Sequence, residues 1–169
     1  MTTAITPRPT SPLRALASLD GQTLMTILLA GGLATVAFDM FGQAIAPLLG
    51  FAKLAPAPLA GSVVKVIVGE PIKHAGSLVH FLTGLLAYPL GWFLIAKPLA
   101  DRTVPHLPWP LTAIAYGVGL FVFALYFMAH LVAGNPPFLG WGGITWVALI
   151  GHVIFAVVAA FVIETHRKV

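Results

Sequence analysis

Four long runs of apolar residues, at about 23–49, 72–96, 109–133 and 143–163, decide what this chain can fold into. At ~1.5 Å of rise per residue, each is long enough as a helix to cross the ~30 Å hydrocarbon core of a bilayer. The charge content agrees. Only 8% of the 169 residues are charged and 59% are apolar, whereas a soluble domain carries about 25% charge and uses it to face water. The sequence therefore predicts an all-α, polytopic integral membrane protein built as a four-transmembrane-helix bundle. The lipid bilayer is its solvent.

The same arithmetic excludes other classes. The formal charge of +4 comes from cations scattered at chain ends and loops, with no stripe that could track phosphates, so no nucleic-acid partner is expected. There is no cysteine, which removes disulfides, iron–sulfur clusters, thiolate zinc sites and cysteine nucleophiles together. Gly140-Trp141-Gly142-Gly143 has neither a preceding strand nor a lysine for a phosphate site. Ser62 and Ser77 have no triad companions, so the reading leans away from an enzyme.

Residues 1–22 form a polar lead that ends at Asp20, placed to cap a first helix through Thr23. Ala44-Ile45-Ala46 has the spacing of a leader cleavage site, but the apolar run before it is too long and Pro47 follows directly, so a retained helix is expected. The four-helix domain is placed at 23–165, with a short cytoplasmic tail at 166–169. Within it, residues 51–71 contain Pro56 and Pro58, read as helix breakers, and form an interfacial or re-entrant segment across one mouth of the bundle. Lys97 to Pro108 reads as a stiff polar turn. Arg8, Arg14, Lys97, Arg102, Arg167 and Lys168 fall on one side and Lys53, Lys65 and Lys73 on the other, which predicts both termini in the cytosol. Trp92 and Trp109 are expected at one membrane boundary, and Trp141 and Trp146 at the other. Gly31 and Met40 are spaced like Gly119 and Met128, and His80 with Gly84 resembles His152 with Ala156, which suggests two related hairpins.

Polar side chains inside spans are costly, about 2.5–3.5 kcal/mol for a charge at mid-depth, and so mark the bundle interior. Here they are Asp39, Gln43, His80, His130 and His152. Counted at ~1.5 Å per residue from the outer ends of the helices, they lie about 5 to 16 Å deep, all in the outer half. Small residues flank the histidines at helical spacing: Ser77, His80, Gly84 and Tyr88 on one face, Thr145, Ala148, His152 and Ala156 on another. His74, His106 and His166 read as interfacial or solvated.

Two function classes follow. In the first, the polar groups satisfy one another and the small-residue stripes make helix contacts, giving a non-enzymatic structural or accessory protein. Its partner is itself, as a homo-oligomer, or another subunit of a membrane complex. In the second, the imidazoles hold a prosthetic group. His80 and His152, matched in depth, are candidate axial ligands of haem b, with His130 a further cofactor-binding candidate; a chlorin on one histidine is a variant. A metal site from His80, His130, His152 and Asp39, with Met40 or Met128 as soft ligands, belongs to the same class. A proton or substrate relay through Asp39 and the histidines is a further option, without polar groups to continue it through the inner half.

The stretches Ala30 to Met40, Val79 to Gly84 and Gly151 to Ala156 resemble the pattern of the YagU-like group of small bacterial inner-membrane proteins. In that group a small-rich first helix is followed by helices that open with a histidine and a small residue four positions later. The resemblance implies a four-span protein of the bacterial inner membrane and carries no particular chemistry.

Overall fold

The computed structural model describes residues 19–166, and the charges at Arg8, Arg14, Arg167 and Lys168 lie outside that range. Among the described residues there is no strand. Four helices are long and apolar enough to cross a membrane: α1 (Gly21–Leu48), α3 (Ala75–Thr103), α4 (Trp109–Val132) and α5 (Gly143–His166), with a short helix α2 (Pro56–Val68) between the first two. Large apolar side chains such as Leu29, Leu33, Met40, Ile95, Phe127 and Phe161 are exposed along their outer faces. That surface suits lipid rather than water. The all-α four-span bundle expected from the apolar runs is the fold observed.

Asp20 starts α1 as its composition predicts: the carboxylate accepts a hydrogen bond from the Thr23 backbone N–H at 2.7 Å. This bond holds the Asp20 carboxyl below its ordinary pKa. Pro56 and Pro58 act in the opposite sense to the one expected. They sit in the first turn of α2, where an N–H would have no acceptor within the helix and a proline therefore loses none, and open the helix instead of breaking it.

Prolines inside the spans are also accommodated. Pro47, Pro89 and Pro98 each follow a five-residue π-helical segment, at Phe41–Ile45, Thr83–Ala87 and Trp92–Ala96. The wider turn makes room for the ring and frees carbonyls. One of them, at Gly42, accepts from the Leu54 N–H at 2.9 Å. Because Pro98 is absorbed in this way, α3 continues to Thr103, and Lys97, expected in a polar turn, is buried within the helix and ion-paired to Asp101.

The helices meet through small residues. A Cβ at Gly31 would fall 2.2 Å from the Leu85 carbonyl oxygen, and one at Gly117 would fall 2.8 Å from the His152 carbonyl oxygen, so α1 approaches α3, and α4 approaches α5, backbone to backbone. Gly119, placed in register with Gly31 by the apparent repeat, has open space where its Cβ would be. The two glycines are not structurally equivalent. Trp92 is likewise not at a boundary: it is fully buried in a core of Ile27, Phe93, Ala160 and Ile163, against Tyr116. Trp141 and Trp146 are exposed.

Packing differs between the two ends of the bundle. At the end that carries Asp20 and His166, α3 and α4 touch directly. At the other end α2 packs against the start of α3 and against the π-helical second half of α4, Phe123–Val132. The short helix thus holds α3 and α4 apart there and creates an internal space.

Candidate functional site

That space is a cavity of about 480 Å³. Its wall is mostly apolar, from α1 (Phe38), α2 (Leu59, Val63), α4 (Leu125, Met128) and α5 (Phe155). His80, Tyr88, Asn135 and His152 interrupt it. Two of the π-helical segments, at Thr83 and at Phe123, face it directly. Such segments re-aim side chains by inserting a residue into the helical register.

Asp39, on α1, meets His80, on α3. The His80 Nε2 lies 3.1 and 3.3 Å from the two carboxylate oxygens, and the Gln43 side-chain amide donates to the same carboxylate at 2.7 Å. The pair is partly exposed at the edge of the bundle, with only its His80 member lining the cavity. Three of the five polar groups singled out from the sequence thus form one cluster.

His152 is held differently. It is 6% exposed, and its Nδ1 lies 2.7 Å from the Ala148 carbonyl oxygen one turn back. A carbonyl only accepts, so Nδ1 carries the ring proton and Nε2 presents a lone pair. That Nε2 makes no hydrogen bond among the described residues and is not sealed from the cavity. Phe38, edge-on at 5.1 Å between ring centroids, and Tyr88, at 6.4 Å, pack on the ring.

His130 is turned to the loop after α4. Its Nδ1 donates to the Asn135 carbonyl at 2.7 Å, while the Tyr126 ring packs against it at a tilt, 5.4 Å between centroids. Asn135 in turn donates from its side chain to the Ala129 carbonyl. The neighbouring turn is unusual: Phe138, Leu139, Gly140 and Trp141 all have positive φ. A left-handed conformation costs roughly 1–2 kcal/mol for each residue with a Cβ. Stacking of Phe138 on Phe121 and Tyr126, and a 2.5 Å hydrogen bond from Thr145 to the Phe138 carbonyl, hold it. Leu139 from this turn closes one side of the cavity.

The four-ligand metal site expected from His80, His130, His152 and Asp39 does not assemble: among the described residues no three metal-ligating side chains come together. Met40 is exposed on the outer face of α1, and only Met128 of the two methionines reaches the cavity. His80 and His152 do share the cavity. Phe38 packs on both of their rings, at 5.9 and 5.1 Å, so a phenyl ring fills ground that a haem between them would need. Phe38 and Asn135 are wall residues that reading the sequence did not single out. Phe38 stands one position before Asp39 and four after Ala34, on the buried face of α1, and that spacing was the available signal.

A scan against protein-family models matches none of them, and searches of curated proteins and of solved structures return no match. The functional reading rests on the site itself.

Proposed function

We propose that this chain is a non-enzymatic accessory protein of the membrane that holds a lipophilic small molecule in the cavity between its helices. One observation carries the reading: a cavity of about 480 Å³ with apolar walls and a few convergent polar groups, within the range of about 300–1,000 Å³ typical of small-molecule sites. Val79 and Phe123 line it and are 38% and 46% exposed, and a wall open at these two residues would give a molecule dissolved in the bilayer a lateral way in. The test uses purified protein in detergent and the apolar probe 4-octylanisole. Saturable binding is expected in the wild type and is expected to be lost in Ala124→Phe, which fills the cavity; non-saturable uptake that is equal in both would refute the proposal. The haem-binding alternative predicts a Soret band from the same sample.

For orientation, we infer that both termini face the cytosol, from the excess of Lys and Arg on the terminal side; a bacterial inner membrane is the location that the resemblance to the YagU-like group implies. Reporter fusions at residues 1 and 169 should both be active only as cytosolic reporters; periplasmic activity at either end would reverse the assignment.

A further inference from the structure

The cavity's polar groups define what its occupant must carry. This step rests on the reading of the cavity as a ligand site and goes on to the chemistry of the ligand. His152 is more than nine-tenths buried, and its Nδ1 proton is committed to the Ala148 carbonyl. Its Nε2 is therefore a hydrogen-bond acceptor, unpartnered among the described residues and open to the cavity. A buried acceptor of this kind calls for a donor from whatever fills the space beside it. His80 lines the same cavity, with its Nε2 engaged by the Asp39 carboxylate. Tyr88 contributes a hydroxyl that can give or take. The wall thus offers an acceptor that a purely apolar occupant would leave unmet.

The surroundings specify the shape of the donor. Phe38 stands edge-on to His152, and Tyr88 stands edge-on to Phe155 at 5.6 Å. These rings frame the imidazole with aromatic faces and edges, which favour a flat aromatic partner in an offset or edge-to-face arrangement. Beyond them the wall is aliphatic, through Leu59, Val63 and Val79, out to the lipid-facing surface.

We propose that the occupant is a lipophilic phenol or hydroquinone: its ring lies among Phe38, Tyr88 and Phe155, its hydroxyl donates to Nε2 of His152, and its alkyl tail runs toward Val79. Binding alone is involved, with no transfer of electrons or of the proton.

The experiment compares two probes that differ only at this point, 4-octylphenol and 4-octylanisole, titrated into the purified protein in the same detergent. The wild type is expected to bind the phenol about tenfold more tightly, the value of one well-placed hydrogen bond in a dry site. His152→Phe is expected to bring the ratio to about one. A second measurement needs no variant: the nitrogen NMR resonance of Nε2 of His152 should move on adding the phenol and stay in place with the anisole. Equal binding of the two probes by the wild type, displaced from both by Ala124→Phe, would overturn the hydroxyl inference and leave the cavity reading standing. A tenfold preference that survives in His152→Phe, or an Nε2 resonance indifferent to the phenol, would overturn the assignment to His152. Failure of both probes to bind the wild type would overturn the cavity reading and this inference together.

Discussion

Asp39, His80 and Gln43 show how a membrane span tolerates groups that a bilayer rejects. The carboxylate accepts from the Nε2 of His80 at 3.1 Å and from the side-chain amide of Gln43 at 2.7 Å, so this acid is met by two donors in one patch. The energetic expectation is modest, because an unfolded chain in a membrane also finds partners. Asp39→Ala and His80→Ala should each destabilise the bundle, and the double variant should cost less than their sum by about 0.6 to 1.7 kcal/mol. Reversible unfolding in mixed micelles measures this. Strict additivity would mean that the two side chains do not support each other. At this scale the sequence was informative about which residues matter and silent about how they pair. Asp39, Gln43, His80, His130 and His152 stood out because polar groups are rare in apolar runs. That His130 would turn to Asn135, and that His152 would spend its proton on its own helix, depend on rotamers and on a loop that periodicity does not describe.

Among the elements, glycine and proline do the shaping, and their effects depend on neighbours. Gly31 and Gly117 each face the backbone of another helix, while Gly119 faces nothing. Gly31→Ala and Gly117→Ala should therefore push helices apart and destabilise the bundle by about 1–3 kcal/mol. Gly119→Ala should be neutral or stabilising by up to about 1 kcal/mol, from helix propensity alone. Unfolding midpoints of the three variants check this, and equal loss at Gly119 and Gly31 would restore the equivalence suggested by their spacing. The extents of the spans were legible to within a few residues except at α3. There, Lys97 and Pro98 read as the start of a turn, whereas the π-helical segment Trp92–Ala96 absorbs the proline and carries the helix on to Thr103. In the same way Pro56 and Pro58 read as breakers, yet at the first turn of α2 a proline costs no hydrogen bond.

For the whole molecule, the decisive feature is the short helix α2 between α3 and α4, which turns a four-helix bundle into a container. Nothing in the composition of residues 56–68 marks it as a wedge. Its effect comes from where the chain returns after α1, through the Leu54 N–H bond to the Gly42 carbonyl that the π-helical turn before Pro47 sets free. The number and polarity of the spans could be read from the apolar runs, but a cavity is a property of how helices are held apart, and sequence patterns report only which faces are apolar. The most direct test of a lipophilic molecule seated against His152 is the mass of the intact protein released gently from its own membranes. Native mass spectrometry should give the chain with a single small lipophilic adduct that is absent from Ala124→Phe. A bare chain, or the same phospholipid adducts on both proteins, would contradict the account.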